Sequence, residues 1–483
     1  MAVRSEGAAA TAAPAAEQLK PVLSLFDSAM IVAGSMIGSG IFIVSADIAR
    51  YVGSPAGLLA VWLVSGLMTI AGALAYGELA AMMPQAGGQY VYLREAYGAL
   101  CAFLFGWTLL LVVQTGTIAA VAVAFARFTA VLWPALAAPI PLAGGWTVSS
   151  ERAGAILVIA ALTALNLRGL DTGRQVQNVF TSFKIVSLIF IAAVGLLIAP
   201  RHDALVANFG SAQAFFGTHA LSLGLVSAFG AAMVGGLFSA DAWAGATFTA
   251  AEVRNPRRDL PLALAFGTGI VIVLYLATNL SYMAVLPVNG SASAADVFGR
   301  GISNARVDRV ADAAMSMVWG RTGATITAAL VMVSTFGCAN GLIITGARVL
   351  YAMAKDNMFF ASAGRLNRAH VPGIALVMQG VWASVLALSG SYSELLDYVI
   401  FTNLMFYVIT VGAVFLMRRT RPHQPRPYRA WGYPYVPAAY MVAAIVLMVD
   451  LLIMKPRSTW PGLLIVLSGL PVYAFRSRRA ARL

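Results

Sequence analysis

The stretch Ile31-Val-Ala-Gly-Ser-Met-Ile-Gly-Ser-Gly-Ile-Phe42 lies in the first long apolar run and contradicts what a membrane helix should look like. Gly34, Ser35, Gly38, Ser39 and Gly40 fall where a lipid-spanning helix should propagate most easily. Glycine inside a helix costs about 1 kcal/mol relative to alanine. Two glycines flanking a serine therefore mark a place for the coil to break. Backbone freed at membrane depth must be buried in protein or line a polar cavity. A broken helix bares C=O groups at the end of its first half and N–H groups at the start of its second. Together these suit a zwitterion, ammonium on the carbonyls and carboxylate on the N–H groups. The plainer reading makes Gly34 and Gly38 a GxxxG packing face.

Composition sets the class. Of 483 residues, 60% are hydrophobic and only 11% charged, and mean hydropathy is +0.81. Globular chains carry about 25% charge, so this is an all-α polytopic membrane protein. Its length leaves room for about twelve spans of roughly 20 residues. Apolar runs place them near 23–50, 57–82, 99–133, 153–170, 178–199, 221–250, 260–286, 323–354, 372–390, 395–417, 435–454 and 458–477. The net charge of +13 does not signal nucleic acid. With the N-terminus inside, the clusters Arg254/Arg257/Arg258, Arg418/Arg419/Arg421/Arg426/Arg429 and Arg476/Arg478/Arg479/Arg482 all fall on the inner side. That is the positive-inside bias of a cytoplasmic membrane protein with both termini in the cytoplasm.

Cys101 and Cys338 sit in apolar runs and the four histidines are scattered, so neither a disulfide framework nor a metal site is implied, and no cofactor is expected. No nucleophile–base set points to an enzyme. Residues 1–22 read as a disordered Ala-rich tail rather than a cleavable signal, because the following run is far longer than an h-region. Residues 478–483 read as a basic tail.

Four charged or polar groups stand out within the apolar runs. Glu78, near the inner end of the second, is either a functional acid or a structural hydrogen-bond acceptor. Lys184 lies in the fifth. A lysine at a helix centre costs about 2.5–3.5 kcal/mol. With the span beginning near 178 it lies about 9 Å from the helix start, so it either snorkels inward or faces the bundle. In the bundle, its ammonium would occupy the place of a sodium ion and tie the first helix to a neighbour. The sixth run holds a second interruption from Gly235 to Gly245, with Asp241 inside it, either capping a second half-helix or meeting substrate or a proton. The tenth carries Asn403, able to line a pocket or bond across helices. In the eighth run, Ser334 to Gly341 either face Lys184 or pack. The outer loop near 287–322 holds a plausible short amphipathic helix around Val307–Met315.

Interrupted spans in positions one and six predict two five-helix repeats, 23–200 and 221–417, the second inverted, with two further spans over 435–477. Paired discontinuous helices of this kind point to a central binding site.

These residues resemble the L-type amino acid transporter branch of the amino acid–polyamine–organocation superfamily, in its bacterial form without a heavy chain. The resemblance runs from about Leu23 to Phe475. It rests on Gly34–Phe42, Tyr76-Gly77-Glu78-Leu79 with Pro84 and Gly87-Gly88, and Gln175 to Lys184. Gly236-Leu237-Phe238 with Trp243, Glu252 to Pro261, Thr278-Asn279-Leu280 and Leu467 to Tyr473 extend it. It implies a leucine-transporter-like fold of twelve helices. By the same resemblance Ser39 and Gly40 bind the substrate carboxylate. Carbonyls of Met36, Ile37 and Phe238 receive its amino group, and the Phe238 ring closes over it. Gly38, Ser239, Asp241 and Asn403 complete the expected substrate-binding set, and Lys184 is the sodium-site substitute. Residues 134–152 lack the cysteine through which animal members bind a glycoprotein, so no covalent heavy chain is expected. Asp241 stands where large-neutral-substrate members carry glycine, and Cys338 where serine is common.

The expected function is sodium-independent exchange of neutral L-amino acids by alternating access. The alternatives are a proton-coupled porter of cationic amino acids or polyamines, and a membrane amino-acid sensor that moves nothing.

Overall fold

Apolar runs of this length satisfy their peptide groups only by coiling, because hydrocarbon offers no partner. The computed structural model describes residues 19–133, 139–141, 147–217, 223–389, 392–454 and 456–480. Ten helices among the described residues are long and apolar enough to cross a bilayer. Gly373–Ser389 and Pro456–Ala480 complete the expected twelve. The first span is Leu25–Met36 followed, after a gap, by Gly40–Ile43 and Ser45–Val52. Val44 keeps helical angles (φ −67°, ψ −25°), so the last two form one half-helix. The second is Pro55–Met82, the third Ala99–Leu132 with a wide turn at Leu109–Val113, and the fourth Ser150–Leu167. The fifth, Leu170–Ala193, runs on through Val194–Ile198. The sixth is Leu223–Ser239 and then Trp243–Glu252, the latter a tighter 3-10 coil. Pro256–Val285, Val310–Lys355, Tyr392–Thr420 and Tyr435–Met454 are the seventh, eighth, tenth and eleventh. Between spans three and four a two-stranded ribbon pairs Pro139–Pro141 with Thr147–Ser149.

Four boundaries depart from the sequence reading. The fifth helix begins at Leu170, eight residues before the expected 178. Its polar opening reads as loop, yet Arg174 pairs with Asp171 one turn earlier and with Asp27 of the first span. Lys184 is therefore about 21 Å along the helix, beyond snorkelling reach of that end. The outer amphipathic segment is fused to the eighth helix, which starts at Val310 and bends at Trp319 and Gly320 (φ 57°). Of the tail, residues 1–18 lie outside the described residues. Residues 19–22 are placed: Val22 and Leu23 donate main-chain N–H groups to the Glu252 carbonyl at 2.9 and 2.8 Å. Of the expected basic tail, 478–480 continue the last helix, and 481–483 lie outside the described residues.

Packing puts the first helix at the centre, against the fifth, seventh and eighth helices and the second half of the sixth. Charges at the end of the bundle that carries Leu23 and Glu252 lock this arrangement. Arg348 and Glu252, both 1% exposed, form a two-pronged ion pair at 2.9 and 3.0 Å. Glu78 accepts from Arg418 at 2.9 and 2.6 Å and from the Ala430 N–H at 2.7 Å, with Arg426 at 3.3 Å. Every contact of this buried carboxylate holds the second span to the tenth and the loop after it, which is the structural role. A main-chain bridge between Leu23 and Val253 joins the start of the first span to the end of the sixth.

Candidate functional site

The coil of the first span ends at Met36, and Ile37 turns out of it (φ −74°, ψ 89°). A helix end leaves its last four carbonyls without a helical donor, and at this depth water does not supply one. Each of the four finds a side chain instead. Lys184 Nζ donates to Gly34 O at 2.6 Å, and the Cys338 thiol to Ser35 O at 3.0 Å. The Tyr275 hydroxyl donates to Met36 O at 3.0 Å, and Ser334 to Ile37 O at 3.2 Å and Gly38 O at 3.0 Å. Helices five, seven and eight thus each hold the broken end. Each carbonyl has two lone pairs, so a single donor does not exhaust its accepting capacity.

Lys184 is 1% exposed and points into the bundle, which decides between the two readings of that residue. The eighth-helix polar groups do not turn to it. Ser334 and Cys338 bond directly to first-helix carbonyls, while Asn340 bonds Gln177 and Asn166 at 3.1 and 2.9 Å.

The sixth span loses its coil at Ala240–Ala242. Asp241 N–H reaches the Phe238 carbonyl at 3.2 Å, and Ala242 takes a left-handed φ of 68°. The side chain of Asp241 does not cap the following 3-10 coil. Asn403 donates to its Oδ2 at 2.5 Å and the Tyr407 hydroxyl to its Oδ1 at 2.7 Å. The backbone N–H of Ala242 also faces the carboxylate. These donors are all neutral. The acid is held across the bundle by the tenth helix, a placement that no local pattern announces.

The two breaks meet. Tyr275 bridges them, its hydroxyl lying 2.9 Å from Ser239 O as well as 3.0 Å from Met36 O. A Cβ on Gly40 would stand 2.1 Å from Ser239 Oγ, so only glycine allows the approach. Met36, Ile37, Gly38, Ser39, Gly40, Phe238, Ser239, Asp241 and Asn403 are all buried together around this meeting point. Beside Asp241 lies a cavity of about 20 Å³ bordered by Thr69, Trp243, Asn403 and Tyr407. That is room for about one water.

Sequence reasoning missed Tyr275 and the ring cluster of Tyr76, Trp243 and Tyr407, whose centroids lie 4.8 to 5.8 Å apart. A signal for Tyr275 was available: a buried intramembrane tyrosine needs a partner for its hydroxyl. The partner itself, a carbonyl freed by a break 239 residues away, was not readable.

The amino acid permease family pattern matches residues 23–473. The chain belongs to that family. The serine/threonine exchanger SteT of Bacillus subtilis is 28% identical over 96% of this chain and 98% of its own length. The human b(0,+)-type amino acid transporter 1 is 30% identical, covering 95% of this chain and 88% of its own. The human Asc-type amino acid transporter 1 is 27% identical, covering 94% and 82%. The permease is thus a multi-pass membrane protein of the amino acid–polyamine–organocation superfamily, with a leucine-transporter-like fold and amino acid exchangers among its relatives. Its relatives are transporters rather than enzymes.

Proposed function

We propose that this permease exchanges neutral L-amino acids across the bacterial cytoplasmic membrane without sodium, both termini inside. The repeats 23–200 and 221–417 would rock about the two breaks. The observation that carries the reading is the Lys184 ammonium seated on Gly34 O. A permanent cation on the freed carbonyls removes the need for a mobile one. The substrate head group would use the carbonyls of Met36, Ile37 and Phe238 and the opening N–H groups of the second half-helix, with Ser39 and Gly40 nearest. The relatives named as a serine/threonine exchanger and as amino acid transporters support the substrate class. Residues 134–152 hold no cysteine, so the carrier works without a covalent heavy chain.

Proteoliposomes test this directly. Labelled L-serine, L-leucine and L-arginine are offered to vesicles preloaded with the same amino acid or left empty, in sodium or choline salts. Exchange requires preloading and gives equal rates in both salts. A sodium requirement, or equal uptake into empty vesicles, overturns the reading.

One observation favours a second reading, carriage of cationic amino acids. Asp241 has neutral donors for partners, so a substrate side-chain cation would complete its pairing. In the same assay that reading requires L-arginine to outcompete L-serine, with a pH gradient changing the rate where a proton is coupled.

A further inference from the structure

The polar segment between spans eight and nine folds against the end of span four, and a cavity of about 380 Å³ lies where they meet. Leu167, Ile374, Val377 and Met378 form its apolar wall, and Arg365 and Asn367 its polar side. Ile374 and Val377 lie one turn apart on the ninth helix and are 43% and 44% exposed, so this wall faces outward from the bundle. By the orientation proposed above, the cavity opens on the cytoplasmic leaflet.

The polar side is held in place. Asn367 Nδ2 donates to Leu167 O at 2.8 Å, and its Oδ1 accepts the N–H groups of Ala369 and Val371 at 2.9 and 3.2 Å. A Cβ on Gly169 would stand 3.6 Å from that of Ala369. Residues 167 and 169 thus lie against 367 and 369, which sets Arg168 and Arg368 on facing stretches of chain beside Arg365. All three arginines are exposed. The acids nearest to them in sequence are engaged elsewhere, Asp171 with Arg174 at 3.4 Å and Asp356 with Arg94.

We propose that this cavity holds one anionic phospholipid, its phosphate on Arg365 with Arg168 and Arg368 beside it, and its upper acyl chain against Leu167, Ile374 and Val377. Basic clusters at the cytoplasmic ends of spans attract anionic lipid, and a planar guanidinium grips phosphate through two N–H groups. A soluble anion could use the arginines but not the apolar wall, so the occupant is a lipid. The site does not depend on what the carrier moves. It does touch the closure of the broken spans. Leu366, also on the cavity wall, packs with Leu19 and Tyr351. Leu19 leads into the Val22 and Leu23 N–H groups that meet Glu252 O. A lipid seated here buttresses the packing that keeps the start of the first span on the end of the sixth.

The test is native mass spectrometry of the purified full chain in detergent, titrated with dioleoyl phosphatidylglycerol or dioleoyl phosphatidylcholine, beside melting curves in the same lipids. The wild type binds one phosphatidylglycerol at least about tenfold more tightly than phosphatidylcholine, and phosphatidylglycerol raises its melting temperature. Arg168→Gln/Arg365→Gln/Arg368→Gln loses both the preference and the shift. Arg257→Gln/Arg258→Gln/Arg419→Gln removes the same charge from other exposed positions on the same side and keeps both. Val377→Trp fills the apolar side and loses the tight equivalent with every arginine present, and it serves as the second variant should the triple substitution fail gel filtration. Equal affinity for the two lipids, equal loss in the two triple variants, or displacement of the lipid by inorganic phosphate alone overturns the proposal. So does a wild-type dimer in lipid-free detergent that Val377→Trp dissolves, because the wall would then be a contact between copies of the chain.

Discussion

Replacing Lys184 with methionine separates the work of its ammonium from that of its stem. The stem is preserved nearly in volume, so packing beside Gly337 should change little. What goes is the 2.6 Å hydrogen bond from a charged donor to Gly34 O. Such bonds contribute about 1.5–3 kcal/mol. Removing the charge also relieves its own burial, which costs several kcal/mol per ion. The two effects oppose each other in overall stability, and the melting temperature should move little. They do not oppose each other at the break. There the first half-helix loses one of its four holds, and the geometry that receives substrate becomes less populated by the energy of that bond. At about 1.4 kcal/mol per factor of ten, 1.5–3 kcal/mol lowers exchange roughly 10- to 150-fold. Exchange of labelled amino acid in proteoliposomes, beside a fluorescence-detected melting curve, reads both quantities. Lys184→Met with more than half the wild-type rate would refute the reasoning, because the ammonium would then be dispensable to the broken end.

Three further substitutions probe the same frame. Tyr275→Phe deletes the hydroxyl shared by Met36 O and Ser239 O, and should lower affinity about tenfold at roughly 1–2 kcal/mol; an unchanged half-saturation concentration in exchange assays would count against the bridge. Asp241→Asn keeps a polar side chain against Asn403 and Tyr407 but removes the charge, so neutral-substrate flux should stay within about threefold, close to 0.6 kcal/mol. A competition panel showing loss of L-arginine transport alone would transfer the assignment to the cationic reading. Arg348→Met strands the buried Glu252 carboxylate and should destabilise by about 3–5 kcal/mol, visible as a lowered melting temperature. The double variant with Glu252→Leu should recover most of that loss, and a double variant as unstable as the single would reject the pairing argument.

The first glycine-rich break was legible because Gly38-Ser39-Gly40 interrupts an apolar run where a helix should otherwise propagate, although Gly34 and Gly38 also fit a packing face. The first span breaks where those residues predict. The sixth breaks at Ala240–Ala242, a few residues past its glycine pair, with alanine in the left-handed turn. Alanine carries no signal for that conformation, and neighbouring helices impose it. Lys184 was visible as an expensive residue, but its depth was misjudged. Asp171, Arg174 and Gln177 look like loop until the first span supplies Asp27 and the eighth Asn340. Asp241 shows the same limit. An acid beside a helix start reads as a cap, while its side-chain donors sit 162 and 166 residues further on.

The start of the first broken span and the end of the second are sewn together by main chain. Val22 and Leu23 N–H groups meet Glu252 O, and Arg254 N–H meets Leu23 O at 2.9 Å. Side-chain substitution cannot undo these contacts, and a bulky fusion placed just ahead of Leu19 would crowd them. An opening of that face must either carry both half-helices as one body or part three peptide hydrogen bonds together. A pair of spectroscopic labels straddling this seam would then report a constant distance through the cycle, and labels set across Glu252 and Arg348 would report the motion.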